Sequence, residues 1–217
     1  GVWASGNAGE LRACRSLTRR LGLWRDDDAG SDRKPVEIVQ AGRPVRAGLD
    51  GMSGLIQELV ERASEWPAPW VLVVHTRYDA ESSAYVERLR AHADQTRVFL
   101  SLKPVPRQDY DALIDGADVG LAFYIPDTSS AFTQQNLLTL GLSSGKLAYY
   151  LRAGLPVIVN REASIRQEVE EHGIGVAIES ADDVGAALDC VQQRYDQFSD
   201  NALRFFDQRL DFRNAFT

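Results

Sequence analysis

The sequence is poor in cysteine and has no long apolar run. Cys14 and Cys190 are the only cysteines among 217 residues, and their spacing matches no metal-binding pattern, so inert thiols in a reducing compartment are expected. No apolar run approaches the ~20 residues of a membrane span, and the first residues carry no signal-peptide pattern. The formal net charge is −7, which disfavours nucleic acid as a partner because phosphate backbones need clustered cations.

Lysine is also scarce. It occurs at Lys34, Lys103 and Lys146, and arginine supplies the other basic side chains, a usage that together with the alanine and glycine content is typical of a GC-rich bacterial genome. The chain begins at Gly1 without a methionine. We therefore expect a fragment whose amino-terminal portion is absent; a tag scar or a processed terminus is the alternative.

From residue 36 onward, strand-like and helical patterns alternate. Residues 9–24 carry one helical pattern, and the polar stretch 25–35 predicts an exposed linker. Apolar runs of strand length follow at 36–41, 70–75, 97–102, 119–125, 155–159 and 174–178. Near-continuous apolar strands are typical of a parallel sheet that is covered on both faces. We predict a doubly wound, Rossmann-like α/β domain with a six-stranded, mostly parallel sheet over 36–198. Gly173 is predicted to stop one helix, and Ser180 to cap the next, with Asp183 in its first turn. A last helix, capped by Ser199, is predicted over 199–217 and is expected to pack toward a missing amino-terminal domain.

Cationic residues follow the predicted strands. In a doubly wound sheet, ligands bind outside the carboxyl ends of the strands. The residues found after the first five strands are Gly42, Arg43, Arg46, His75, Arg77, Lys103, Arg107, Lys146 and Arg161. A positive rim on a negative body suits an anionic small ligand such as a nucleotide diphosphate. The alternative is that strand-to-helix loops are polar in general and that arginine is abundant here; His75 in particular either contacts phosphate or is a satisfied residue at a strand end.

The most informative segment is 141–159. Ser143, Ser144, Gly145 and Lys146 open a short apolar helix that ends at Gly154, before a buried strand. The first N–H groups of a helix carry partial positive charge and point outward, so small residues beside a lysine predict a phosphate cradle. The preceding loop, 126–144, is long and rich in hydroxyl and amide side chains, which suits sugar hydroxyls; a mobile surface loop is the alternative.

Four segments resemble the carboxyl-terminal, donor-binding half of GT-B-fold glycosyltransferases, especially glycosyltransferase family 4 and related bacterial polysaccharide enzymes. The segments are 40–43 (QAGR), 109–121 (ending ADVGL), 143–158 (SSGKLAYYLRAGLPVI) and 195–206. The third segment is the most specific. The resemblance runs from about residue 36 to the end of the chain.

The resemblance implies a nucleotide-sugar donor against this domain. Arg43 and Lys146 would contact the pyrophosphate together with the backbone of Ser144 and Gly145, and residues near Lys103 and Val105 would frame the base. Many members carry two glutamates eight positions apart, the second of which binds ribose. Gly141 and Tyr149 stand at those positions here, and Ala47 stands where a lysine often follows the Gly-Arg pair.

By the same resemblance, the whole protein transfers a sugar to a glycan or lipid-linked acceptor. The missing amino-terminal half would bind that acceptor and supply the catalytic base, so this fragment is expected to bind donor without turnover. Neither a metal nor another cofactor is expected, and the location implied is cytoplasmic or peripheral at the inner membrane. Two alternatives are a sugar-nucleotide epimerase or phosphorylase on the same fold, and a degenerate, non-catalytic nucleotide-binding or interaction module.

Overall fold

One parallel sheet organises the chain. The computed structural model describes residues 39–40, 43–44, 46–50, 55–75, 84–92, 97–101, 106, 110–124, 140–161 and 164–215. Two short strands, β1 and β2, pair antiparallel with each other, and the six strands β3 to β8 form the sheet. The strands are β1 (Val39–Gln40), β2 (Arg43–Pro44), β3 (Arg46–Asp50), β4 (Trp70–His75), β5 (Val98–Ser101), β6 (Val119–Ala122), β7 (Val157–Asn160) and β8 (Gly175–Ile178).

The strand order is β5-β4-β3-β6-β7-β8, and every neighbouring pair is parallel. The chain therefore builds outward from β3 in one direction and then outward from β6 in the other. Such a reversal between two adjacent strands is the topological switch point at which doubly wound sheets bind ligands. The carboxyl ends of all six strands lie at one edge, called here the carboxyl edge. The predicted doubly wound α/β fold is confirmed.

The first strand of the sheet differs from the prediction. Residues 36–41 were expected to form it, whereas 39–40 lie in the antiparallel pair and β3 takes the place at the switch point. β3 holds few apolar side chains, so its hydrophobic signal is weak. Gly48 at its centre lies beneath Trp66, whose Cζ3 would be 3.5 Å from an added Cβ. β3 is central because it pairs with both β4 and β6, and the indole of Trp66 supplies the apolar cover that Gly48 lacks.

Helices cover both faces of the sheet. They are α1 (Ile56–Arg62), α2 (Ala84–His92), α3 (Tyr110–Asp115), α4 (Gly145–Arg152), α5 (Arg166–His172), α6 (Val184–Gln193), α7 (Tyr195–Phe205) and α8 (Phe212–Ala215). The buried side chains of α3, α4 and α5 share one cluster with Val71 and Val73, whereas those of α1, α2 and α6 share the other with Leu72 and Val74. Alternate residues of one strand thus serve opposite layers, as a strand covered on both faces requires.

Several helix ends were predicted from single residues. Gly173 adopts φ +57° after α5, which confirms it as a stop, because a left-handed residue favours glycine. Ser180 and Asp183 form a reciprocal capping box before α6, as predicted. Ser199, however, does not cap a helix. It is a buried residue inside α7, and its Oγ donates to the carbonyl oxygen of Gly154 at 2.7 Å.

The carboxyl-terminal segment packs on the domain. The predicted boundary at residue 199 falls inside α7. Phe198, Ala202 and Phe205 of this helix are buried in the two clusters, so α7 belongs to the core. A π-helical turn, Phe206–Leu210, then leads to α8. Within the described ranges, no helix is long and apolar enough to cross a bilayer. The predicted helix and linker over 1–35 lie outside the described residues.

Candidate functional site

The site is built on the start of α4. Ser144 is its N-cap, with φ −66° and ψ 110°, and its Oγ accepts the N–H of Leu147 at 3.3 Å. The amides of Gly145 and Lys146 belong to the first turn, where the backbone N–H groups have no acceptor inside the helix. A Cβ at Gly145 would meet no described atom within 4 Å, so the approach to this turn is open on that side. The short helix that was predicted to open at this segment is confirmed.

Tyr124 connects this turn to the sheet. It follows β6, one of the two strands at the switch point. Its hydroxyl forms a hydrogen bond with the Oγ of Ser144, and its ring centroid lies 6.0 Å from the Nζ of Lys146. A cation at that distance from a tyrosine ring lies at the outer limit of cation–π attraction. Tyr124 therefore contacts both polar side chains of the first turn of α4.

Asn160 fixes the backbone of Tyr124. It is the last residue of β7 and is buried. Its Oδ1 accepts the N–H of Tyr124 at 2.8 Å, and its Nδ2 donates to the carbonyl oxygen of Tyr124 at 3.1 Å. The ladder between β6 and β7 ends at the Ala122–Val159 pair, so this side chain extends the pairing past the last strand residue.

A second contact supports the turn that precedes α4. Ser164, which follows β7, accepts the N–H of Gly141 through its Oγ at 2.7 Å. Gly141 opens the short 3-10 turn Gly141–Ser143 with φ +43°. Ser164 therefore holds the turn that leads into α4, and Asn160 holds Tyr124.

An aromatic row extends from β4 to α4. His75, the last residue of β4, is only 2% exposed and its Nδ1 lies 3.1 Å from the Oγ of Ser101. Its ring centroid is 6.2 Å from that of Tyr110, which in turn meets Tyr149 edge to face at 5.0 Å. The guanidinium of Arg152 lies 5.0 Å from the centroid of Tyr149. The burial of His75 favours the strand-end interpretation over direct phosphate contact.

The predicted site residues are partly brought together. Ser143, Ser144, Gly145, Lys146 and Tyr149 share α4 and the turn before it. Gly42, Arg77, Lys103, Val105, Arg107 and the loop 125–139 lie outside the described residues.

Arg43 and Arg46 are placed differently. Arg43 lies in β2, before the sheet begins, and Arg46 is the first residue of β3, paired with Trp70 at the start of β4. Arg43 therefore precedes β3 and Arg46 begins it, so neither follows the first strand of the sheet, and Arg46 lies at the edge opposite to the carboxyl ends. The prediction failed because the strand itself was assigned ten residues too early, at 36–41 instead of Arg46–Asp50.

Three residues of the site were missed from the sequence: Tyr124, Asn160 and Ser164. A signal exists for two of them. Tyr124 and Asn160 are hydrogen-bonding residues at the carboxyl ends of otherwise apolar runs, which is where ligand-facing groups of a parallel sheet collect. Ser164 carries no comparable pattern in the sequence.

A separate cavity of about 320 Å³ opens at the same edge, between α1 and the ends of β7 and β8. It is lined by Leu55, Glu58, Glu61, Arg62, Asn160, Arg161, Glu179, Ser180, Ala181 and Asp182. Arg62 pairs with Asp182 at 2.8 Å, and Arg161 pairs with Glu179. Carboxylates outnumber guanidinium groups in this lining, so it is less suited to phosphate than the start of α4. The part of the chain that the structure describes contains no group of three or more His, Cys, Asp or Glu side chains that could hold a metal ion.

Comparisons with known proteins agree on the fold. Residues 118–210 match the family model described as glucosyltransferase 3-like, C-terminal domain. A search of curated proteins finds no match to this sequence. The matched segment contains Tyr124, all of α4 and Asn160.

Solved structures extend the likeness to about three quarters of the chain. The C-terminal domain of a glycosyl transferase group 1 family protein (LpcC) from Francisella tularensis has a TM-score of 0.59 at 10% identity, with 78% of this chain and 87% of that chain covered. Anabaena HepE, solved in complex with UDP-glucose, has a TM-score of 0.54 at 16% identity, with 78% of this chain and 46% of that chain covered. WaaG, a glycosyltransferase involved in lipopolysaccharide biosynthesis, has a TM-score of 0.53 at 16% identity, with coverages of 76% and 44%. The fold is that of the C-terminal domain of a GT-B glycosyltransferase, and the chain spans less than half the length of HepE and WaaG.

Proposed function

We propose that this chain is the donor-binding half of a glycosyltransferase and that the start of α4 holds the diphosphate of a nucleotide sugar. The observation that carries the proposal is the first turn of α4: an open Gly145, the Lys146 side chain and a capped helix end lie beside the switch point of a parallel sheet. Amides and a positive helix end favour an anion there, and the lysine adds a full charge.

The charge of the chain supports a local anion site. The chain carries a net charge of −7, so its surface as a whole repels phosphate. Lys146 follows the central strand β6 in the chain and lies at the edge where ligands of this fold class bind. A cation concentrated at that edge gives selectivity for a small anion over a polyanion, because a polyanion would also meet the negative surface.

In the complete enzyme, these groups would stabilise the nucleotide diphosphate as it leaves the sugar. Negative charge grows on the leaving group in the transition state, and fixed donors aimed at that charge lower the barrier. Lys146 and the two amides can do this without a metal. The complete enzyme would transfer a hexose to a glycan or lipid-linked acceptor of a bacterial polysaccharide pathway, at the cytoplasmic side of the membrane, and this chain alone would bind donor without transferring it.

The HepE complex with UDP-glucose supports a sugar nucleotide as the ligand class for this fold. An epimerase would need an acid or base in this half. The sequence offers His75 for that role, but its side chain is buried against Ser101. Sugar transfer is therefore the better supported reaction.

Calorimetric titration with ADP, CDP, GDP, UDP and dTDP tests the proposal. We expect one of the five to bind, and Lys146→Ala to weaken it by roughly 1.5–3 kcal/mol, the value of a hydrogen bond to a charged group, or roughly ten- to a hundredfold in Kd. Arg90→Ala is the matched control, since it removes one exposed positive charge from α2, in the layer on the other face of the sheet. Absence of binding to all five would favour a structural or interaction module, and equal losses in both variants would mean that Lys146 acts only through net charge.

A further inference from the structure

We propose that Tyr124 is the positioning residue of the phosphate site: its hydroxyl orients the Ser144 hydroxyl, and its ring steadies the Lys146 ammonium. This inference rests on the proposed function. Tyr124 belongs to no motif in the sequence, and it lies between the central strand of the sheet and the first turn of α4. It joins Asn160, at the end of β7, to Ser144 and Lys146 at the start of α4, so one residue sets the position of these two groups relative to the sheet.

The Tyr124 hydroxyl restricts where the Ser144 proton points. The oxygens of Tyr124 and Ser144 share one hydrogen bond, so one of their two protons lies between them. The Ser144 oxygen also accepts the N–H of Leu147 at 3.3 Å. When Tyr124 donates, both acceptor positions of the Ser144 oxygen are occupied, and the proton of Ser144 is directed to a third acceptor. A phosphate oxygen at the amides of Gly145 and Lys146 is such an acceptor, because those amides follow Ser144 directly in the chain.

The Tyr124 ring also restricts the side chain of Lys146. A lysine side chain has a flexible four-carbon stem, and ordering it at a ligand costs conformational entropy. The Tyr124 ring lies 6.0 Å from its Nζ, which favours rotamers that hold the ammonium over the ring and next to the first turn. Part of the ordering cost is then met before a ligand arrives.

Tyr124 is itself fixed in place by Asn160. Its backbone N–H and carbonyl both bond to the buried side chain of Asn160. A side chain on an unanchored loop could not set the position of other groups. Asn160 of β7 holds the backbone of Tyr124, and the side chain of Tyr124 contacts Ser144 and Lys146 at the start of α4. Tyr124 therefore fixes the phosphate site relative to the sheet.

The test is Tyr124→Phe, which removes the phenol oxygen and keeps the ring. Titrations with UDP and with inorganic pyrophosphate are measured for the wild type, Tyr124→Phe, Ser144→Ala and the double variant. We expect Tyr124→Phe to raise the Kd of both probes by about five- to tenfold, as the partial loss of one charge-assisted hydrogen bond implies. Because the phenol acts through Ser144, the double variant should bind no more weakly than Ser144→Ala alone.

The control is Tyr195→Phe, which removes a phenol oxygen from a tyrosine in the cluster on the other face of the sheet. It should leave both Kd values unchanged, and all variants should unfold within a few degrees of one another. An unchanged Kd in Tyr124→Phe, or losses that multiply in the double variant, would overturn the positioning role while leaving the proposed function intact. If the wild type binds neither probe, UDP is replaced by whichever of the other four nucleoside diphosphates binds; if none of the five binds, the proposed function fails and this inference fails with it.

Discussion

Replacement of Asn160 by alanine should loosen the junction between β6, β7 and α4. The side chain makes two hydrogen bonds to the backbone of Tyr124, at 2.8 and 3.1 Å, and only 3% of Asn160 is exposed. Each bond contributes about 1 kcal/mol net, and each backbone group left buried without a partner costs about 1–3 kcal/mol. Because Tyr124 is half-exposed, water can replace part of what is lost. We therefore expect Asn160→Ala to lower the free energy of unfolding by about 2–4 kcal/mol.

For a chain of this size, 1 kcal/mol corresponds to about 2–4 °C in Tm, so a decrease of about 4–16 °C is expected. Differential scanning calorimetry measures it, with Asn201→Ala as the matched control. Asn201 donates one bond to the carbonyl oxygen of Gly173 at 2.9 Å and is more exposed, so its loss should be about 1 kcal/mol. A Tm for Asn160→Ala that equals or exceeds that of Asn201→Ala would refute the claim that Asn160 ties the strands together.

Two further predictions concern packing. A Cβ at Gly120 would lie 2.2 Å from the ring of buried Tyr150, so Gly120→Ala should lower the free energy of unfolding, measured by urea denaturation, by about 3 kcal/mol. A Cβ at Gly145 would meet no described atom within 4 Å, so Gly145→Ala should leave that free energy unchanged. Equal stability of these two variants would contradict the packing described. Ser199→Ala removes a buried 2.7 Å bond to the carbonyl oxygen of Gly154 and should lower the free energy of unfolding by about 1–3 kcal/mol. An unchanged urea midpoint would show that this contact does not hold α7 in place.

The sequence predicts the fold well where strands are continuously apolar. Five of the six predicted runs correspond to β4 to β8, because buried parallel strands need apolar side chains on both faces. β3 lacks a continuous apolar run because its central residue is Gly48, over which the ring of Trp66 packs in place of a side chain of the strand. Because the strand was predicted ten residues too early, Arg43 and Arg46 were expected after its carboxyl end, whereas Arg43 precedes the strand and Arg46 begins it.

The site is predictable only where its signal is local. The start of α4 follows from neighbouring residues in one segment, 143–146, and the structure has a helix there. Tyr124 and Asn160 are 36 positions apart, and their contact depends on the register of β6 against β7. A single sequence contains no information on that register, so a contact between strands could not be inferred from spacing.

The central claim is that a nucleoside diphosphate binds at the first turn of α4. Proton–nitrogen correlation spectra of the ¹⁵N-labelled chain, recorded during titration with UDP, test it directly. The account predicts saturable shifts that are largest for the backbone amides of Gly145 and Lys146, with the downfield direction of a new hydrogen bond to phosphate. Saturable shifts centred on Arg62 and Arg161, at the cavity between α1 and β8, would contradict it.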